Sequence, residues 1–180
     1  GLTMKTYTIK TQRLGLRNWL PSDEVPFIEL CQDPKVMEFF PATLSADDAR
    51  NLIQRLQLHF EKHGYTYFAV DVLETGKFIG FCGLAVQAWQ SKFTPCVDMG
   101  WRFKQSAWGK GYATEAASAC LEAAEKQFSL LEVFAFAPDL NLPSQHVMKK
   151  IGLEYAGEFQ HPKIADDHRF NTCVAYKKVF

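Results

Sequence analysis

The rhythm of apolar and polar residues changes several times along the chain, and each change marks an element. Alternation from Tyr7 to Arg17 (YTIKTQRLGLR) predicts a strand. Ser22-Asp23-Glu24 supplies a cap and an acidic first turn for a short helix through Cys31, which Asp33-Pro34 breaks; Lys35 to Phe39 reads as a further turn. Ser45-Ala-Asp-Asp48 resembles a capping box with Asp in the usual Glu/Gln place. Behind it Ala49, Leu52, Ile53, Leu56 and Phe60 recur at helical spacing, and Gly64 stands where a left-handed C-cap belongs. Tyr67–Leu73 and Lys77–Val86 flank the turn Glu74-Thr-Gly76 as a hairpin, with Gly80 and Gly83 marking a bulge or a close backbone approach. A loop at Ser91–Pro95 leads to the strand Val97–Phe103. The clearest helix follows, with Ala113, Ala116, Ala117, Cys120, Leu121, Ala124 and Phe128 on one face. Leu131–Ala137 is an apolar strand, Asn141 caps a helix to Ile151 that Gly152 ends, and strands near Glu154–Phe159 and Thr172–Val179 finish the chain. The order β-α-α-β-β-β-α-β-α-β-β predicts a mixed α/β sheet, antiparallel hairpins first and a crossover later.

Composition narrows what such a fold does. The 180 residues suit one domain, 1–180, and 47% hydrophobic with 14% aromatic content supplies a core. Twenty Lys+Arg balance 20 Asp+Glu, so the chain lacks the positive charge of a phosphate-binding nucleic-acid partner. No apolar run approaches the roughly 18 residues of a membrane span, and no signal peptide opens the chain. Gly1-Leu2-Thr3 ahead of Met4 reads as an extraneous leader and is set aside. Cys31, Cys82, Cys96, Cys120 and Cys173 are scattered without zinc spacing, so no metal is expected. The expectation is a cytoplasmic protein, monomer or homodimer, with neither nucleic acid nor membrane as partner.

The segment that carries chemistry is strand, glycine loop, helix: Val97–Phe103, Ser106–Tyr112, then Ala113–Phe128. Gly109 and Gly111 let the backbone turn tightly and approach a ligand. The helix start presents unpaired N–H groups and a positive dipole end, a site for phosphate or pyrophosphate, and Lys110, Arg102 and Lys104 add charge nearby. A P-loop needs Ser or Thr after Gly-Lys, where this chain has Gly111; a dinucleotide fingerprint needs a third glycine where this chain has Thr114. An ordinary glycine-eased turn is the plainer alternative.

Ser106-Ala-Trp-Gly-Lys-Gly-Tyr-Ala-Thr-Glu-Ala116 resembles the acetyl-CoA loop of the GNAT acetyltransferase superfamily, specifically its ribosomal-protein N-terminal acetyltransferase-like (RimJ/RimL-type) branch. Thr11–Arg17 is similar to that branch's opening strand, Asp98–Trp101 to its central strand, and Asn141–Ser144 through Gly152-Leu153 to its last helix. The resemblance implies a twisted, mostly antiparallel sheet of about seven strands with splayed middle strands and about four helices. It implies acetyl-CoA as cosubstrate, bound by Met99, Gly100, Trp101, Trp108, Gly109, Lys110, Gly111, Tyr112, Ala113, Thr114, Asn141 and Ser144. Two departures stand out. Trp108 replaces the superfamily's first Arg/Gln, and Met148 occupies the place where many members carry a tyrosine general acid.

The implied reaction is direct attack of a primary amine on the thioester. It requires a neutral amine, a donor to the developing oxyanion and an acid for the departing thiolate. Backbone N–H groups freed by a bulge at Met99-Gly100-Trp101 are the candidate oxyanion donors. Asp98, where the branch often has glutamate, is the candidate base, and a salt-bridged strand residue is its plainer reading. Ser144 is the candidate acid, and a first-turn serine bonding backbone is its plainer reading. Phe40, Trp89 and His161 are candidate acceptor contacts, with Phe39, Phe93 and His168 nearby. The acceptor is a protein N-terminus or a small molecule; the alternative function is a non-catalytic CoA-binding sensor.

Overall fold

The computed structural model describes residues 4–180; the tripeptide Gly1–Thr3 lies outside them. In chain order the elements are β1 Ile9–Lys10, β2 Leu14–Arg17, α1 Glu24–Gln32, α2 Ala46–His63, β3 Tyr67–Val72, β4 Lys77–Gln87, β5 Cys96–Phe103, α3 Tyr112–Lys126, β6 Glu132–Pro138, α4 Leu142–Lys150, β7 Glu154–Gln160 and β8 Thr172–Val179. The strands form one sheet ordered β1-β2-β3-β4-β5-β6-β8-β7. Every pairing is antiparallel except β5 with β6.

This is the expected mixed sheet with four helices, and its eighth strand comes from the N-terminus. Residues 7–17 fold back on themselves instead of running straight. The Thr11 N–H donates to the Leu14 carbonyl and the Leu14 N–H donates to Thr11 Oγ1, closing a turn without glycine or proline. A second difference lies at α1, where no side chain caps the helix. Ser22 is exposed, and the entry is a short turn over Pro21–Asp23 in which Asp23 accepts the Leu20 N–H. The longer helix α2 follows expectation at both ends except for the reciprocal half of the capping box: Ser45 Oγ accepts from the Asp48 N–H at 3.1 Å, Asp48 returns no bond to the Ser45 N–H, and Gly64 closes the helix at φ +78°.

Period-two alternation divides the core between the two faces of the sheet. On one face Ala69 and Phe81 pack beneath α1 and α2 with Trp19, Phe27, Leu30, Ile53 and Leu56. On the other, Phe68, Cys82, Leu84 and Met99 pack beneath α3 and α4 with Ala116, Ala117, Cys120 and Met148. The β3–β4 register slips between Val70 and Asp71, opposite Gly80, which lies at φ +150°. A Cβ there would run into the Arg102 carbonyl, so that bulge admits only glycine.

The first of those faces is pinned by a buried charge. Arg17 is 2% exposed and sits between two carboxylates. Its Nη1 and Nη2 reach Asp23 at 2.8 and 2.9 Å, and its Nε and Nη2 reach Asp71 at 2.8 and 2.9 Å. Lys5 and the Tyr7 hydroxyl add further donors to Asp71. The cluster ties β2 to β3 and to the entry of α1. Arg17→Met removes the cation and strands two buried carboxylates, so it should cost about 3–5 kcal/mol of folding free energy. Urea unfolding with an unchanged m-value checks this; a loss under about 1 kcal/mol would show that the cluster contributes little.

Candidate active site

The site begins where the one parallel pairing fails. β5 and β6 are in register only at Asp98–Phe134 and Met99–Ala135. Beyond those pairs the strands diverge, although β5 remains paired with β4 as far as Phe103. The β5 edge from Gly100 onward therefore has no strand partner on its β6 side. No register shift interrupts β5, so the bulge expected at Met99-Gly100-Trp101 is absent and divergence of the strands takes its place.

The glycine loop lies just past the end of β5. Gly109 and Gly111 both adopt positive φ, +76° and +78°, the left-handed region where a side chain is strained. Trp108 is 42% exposed and donates its indole N–H to the Phe103 carbonyl, which fixes the loop to the strand end. Gly111 is the N-cap of α3 and brings no side-chain acceptor, so the first-turn N–H groups of Tyr112, Ala113 and Thr114 remain without a cap. Glu115 could have supplied one, but its carboxylate is held by Thr11 Oγ1, the Arg13 N–H and Arg13 Nε. Arg13 also donates to the Lys110 carbonyl at 2.8 Å and lies over the Tyr112 ring. The N-terminal hairpin thus braces the loop from outside and leaves its N–H groups free. In the sequence Arg13 was visible only as part of the opening strand.

Across the split, Asn141 caps α4 by accepting the Ser144 N–H at 3.2 Å. The Ser144 side chain makes no hydrogen bond among the described residues and is half-buried. Met148 is 2% exposed within the core beneath α4.

Asp98 stands at the root of the split and is 7% exposed. Its Oδ1 accepts the Tyr67 hydroxyl at 2.5 Å and Gln87 Nε2 at 3.2 Å; its Oδ2 has no protein partner among the described residues and is not sealed from solvent. Burial pushes the Asp98 carboxyl up to about 7, against the lowering effect of Tyr67, Gln87 and the Lys163 charge. Tyr67 was not anticipated from the sequence. Its ring fits only because residue 100 is glycine: a Cβ on Gly100 would fall 2.8 Å from Tyr67 Cζ. The phenol itself is held well above its ordinary pKa by burial and by Asp98, so it serves as a donor.

The network continues outward. Gln87 Oε1 accepts the Trp89 indole N–H at 3.2 Å, and the Trp89 ring lies 4.4 Å from that of His161. Burial and Lys163 lower the His161 pKa, and its Nδ1 accepts the Lys163 N–H. Phe93, Phe136 and Phe159 pack around Trp89. Trp89 and His161 are therefore linked to Asp98 through Gln87, whereas Phe40 has no link to that network and lies farther along β5, its ring under Arg102 at 4.6 Å. Arg102 contacts Cys31 and Phe81 on the face of α1 and α2, so it does not add charge to the glycine loop as its position in the chain suggested. Nearby, Phe39 meets Phe170 edge-on and Arg169 donates to the Pro41 carbonyl, so two loops touch over this face. His168 is exposed, and no metal-binding group of His, Cys, Asp and Glu occurs among the described residues.

Tyr67→Phe removes a bond that favours the charged carboxylate, so Asp98 should titrate above, not near, its native value of about 7. Side-chain carboxyl 13C NMR reads this without turnover; an unchanged or lower midpoint would count against the Tyr67–Asp98 pairing.

Comparison with known proteins agrees with this geometry. The family model "Acetyltransferase (GNAT) domain" matches residues 13–154. The uncharacterized N-acetyltransferase YnaD of Bacillus subtilis is 30% identical over 154 residues, covering 84% of this chain and 85% of YnaD. A GNAT-family acetyltransferase from Bacillus anthracis superposes with a TM-score of 0.78 at 26% identity, covering 95% of this chain and 97% of that one. RimL, a ribosomal L7/L12 alpha-N-protein acetyltransferase solved in complex with coenzyme A, shares the fold at a TM-score of 0.75 and 15% identity, covering 94% and 96%. With the family model spanning most of its length and the split β5–β6 pair opening onto an uncapped glycine loop, this chain belongs to the GNAT acetyltransferase family.

Proposed function

We propose that the protein transfers the acetyl group of acetyl-CoA to the neutral α-amine of a slender acceptor, with Asp98 as base. The observation that carries this reading is the position of Asp98. It stands at the root of the β5–β6 split, with one carboxylate oxygen fixed by Tyr67 and Gln87 and the other left open.

Acetyl-CoA supplies the electrophilic thioester carbon. Its pyrophosphate suits the uncapped first turn of α3, where Gly109 and Gly111 allow the backbone to approach and Tyr112, Ala113 and Thr114 donate N–H groups. The unpaired β5 edge from Gly100 to Trp101 offers hydrogen-bonding groups to the pantetheine arm and to the developing oxyanion. Asn141 and Ser144 stand at the start of α4, just past the diverging end of β6, and the free Ser144 hydroxyl suits a hydrogen bond to the leaving thiolate, whose proton is the one the acylated nitrogen sheds.

Magnitudes select the acceptor. A proton moving from an α-ammonium group, pKa ~7.7–8.0, to a carboxylate at about 7 climbs about one unit, or about 1.4 kcal/mol. From a lysine ammonium at ~10.4 the climb is about 4–5 kcal/mol. No stronger base neighbours Asp98 among the described residues. The contacts between the Phe39–Pro41 and Arg169–Phe170 loops also suit a slender acceptor, an extended N-terminus or a small molecule, better than a folded surface. RimL, named for α-N acetylation of a ribosomal protein, has this fold and lends support to the N-terminal reading.

Coenzyme A should raise the melting temperature, with about 2.7 kcal/mol of stabilisation at a hundredfold excess over Kd. Gly111→Asp places a carboxylate against the first-turn N–H groups. It should fold and lose most of that shift; normal CoA binding by a folded variant would put the cradle elsewhere.

The wild-type kcat/KM profile should carry a rising limb near pH 7, because Asp98 accepts a proton only when ionised. Asp98→Asn should erase that limb and reduce turnover by about 10²-fold at pH 7.5, leaving only titration of the amine. Matched peptides with either the α-amine or a lysine amine free should favour the α-amine. Equal rates, or a limb that survives in Asp98→Asn, would remove Asp98 as the base.

A further inference from the structure

One cation on the acceptor side has no counter-charge. Arg102 lies on β5 opposite Phe81, with its guanidinium over the Phe40 ring at 4.6 Å and the Phe81 ring at 5.1 Å. Its Nη1 donates to Cys31 Sγ at 3.3 Å, a weak acceptor. Its Nε is buried with no hydrogen-bond partner, and among the described residues no carboxylate lies within ion-pair distance. Burial lowers its pKa, yet a guanidinium keeps its charge in a protein. Two aromatic faces offset part of the desolvation, but the buried Nε donor remains unsatisfied. Arg17, on β2, shows what this fold does with a buried arginine that serves stability: it surrounds it with carboxylates.

Strand parity fixes which ligand this cation can serve. Asp98, Gly100 and Arg102 alternate onto one face, with Tyr67 seated over Gly100 between the outer two. Trp101 and Phe103 point to the opposite face and pack with the core beneath α3. Arg102 is therefore turned away from the phosphate cradle at the α3 N-terminus and shares its face with the candidate base.

We propose that Arg102 is an acceptor-specificity residue: it binds a carboxylate or phosphate group carried by the amine that Asp98 deprotonates. A guanidinium grips either group through paired N–H donors; Nη2 has no partner among the described residues and is not sealed from solvent, and beside it the buried, unpartnered Nε completes the fork once the side chain shifts onto the anion. The inference rests on the acetyltransferase reading and adds the second point of attachment for the acceptor. One point at Asp98 recognises any amine; two points on one face select amines that carry an anion.

The test uses pairs of probes that differ in that anion. L-amino acids and their amides form the carboxylate arm, and O-phosphoethanolamine with ethanolamine forms the phosphate arm. Rates are corrected for each probe's fraction of neutral amine. The wild type should favour the anionic member by tenfold or more in kcat/KM, mainly through KM, and the arm that shows the preference identifies the group. In Arg102→Met the ratio should fall to near one, and in Arg102→Lys to an intermediate value. Arg102→Met should melt at or above the wild-type temperature, because it loses a buried cation without a counter-charge. A preference that survives Arg102→Met overturns the proposal, as does a sharply lower melting temperature with no change in the ratio. Turnover without any preference in the wild type overturns it and leaves the acetyltransferase reading standing; no turnover with any probe counts against both.

Discussion

The functional architecture depends on one pairing that stops early. Parallel strands share hydrogen bonds along their length, yet β5 and β6 share a register at only Asp98–Phe134 and Met99–Ala135. The remainder of the β5 edge carries backbone donors and acceptors that must find partners in water or a ligand. A chain of amide groups is the natural occupant of such an edge, because it replaces the missing strand. The helices that follow the two diverging strands, α3 and α4, start on either side of the opening. One start is sealed by Asn141; the other, at Gly111, is left bare. Ligand polarity is thereby set before any side chain is considered: anionic groups suit the bare end, and the reacting atoms belong near the root.

The two arginines of Thr11-Gln-Arg-Leu-Gly-Leu-Arg17 hold this arrangement from the far side. Arg13 engages Glu115 and the Lys110 carbonyl, which diverts the only first-turn carboxylate of α3 away from its own helix terminus. Arg17 locks β2 to Asp71 of β3 and to the entrance of α1. The first bears on the glycine loop and the second on the face beneath α1 and α2. A segment that the sequence reads as one strand therefore braces both the glycine loop and the entry of α1.

What the sequence disclosed follows from how local each signal is. The caps and apolar stripe of α2 lie within 46–63 and its neighbours, so the helix was legible residue by residue. The turn at Thr11–Leu14 was not, because its closing bond comes from a threonine hydroxyl instead of a Gly or Asn signature. The burial of Arg17 left no local signal in its strand, since its partner Asp71 is 54 positions away. Asp98 was identified by resemblance, whereas Tyr67 and Gln87, which define its chemistry, come from strands whose register no local pattern fixes. Arg102 was placed with the glycine loop by proximity in the chain. Strand alternation contained the correction: apolar Trp101 and Phe103 face α3, so the residue between them faces away.

Asp71 and Asp98 show how one sheet holds two buried carboxylates at opposite ends of the proton-affinity scale. Both are buried, and burial alone raises both pKa values. At Asp71 the donors are charged, Arg17 and Lys5, with the Tyr7 hydroxyl beside them, and they outrun burial so that its pKa falls below the ordinary value. That ion pairing stabilises the fold above about pH 4 and is lost as acid protonates the folded carboxylate. At Asp98 the donors are the neutral Tyr67 and Gln87, burial prevails, and the carboxyl rises to about 7. The linkage there has the opposite sign: the unfolded chain releases this proton first, so raising the pH from about 4 to about 7 erodes stability. A carboxylate that costs the fold stability at the pH where it ionises is also one whose proton affinity matches an α-amine. Neutral donors at Asp98 hold its geometry without quenching its basicity, and a cation such as Arg17 in their place would stabilise the sheet and remove that basicity.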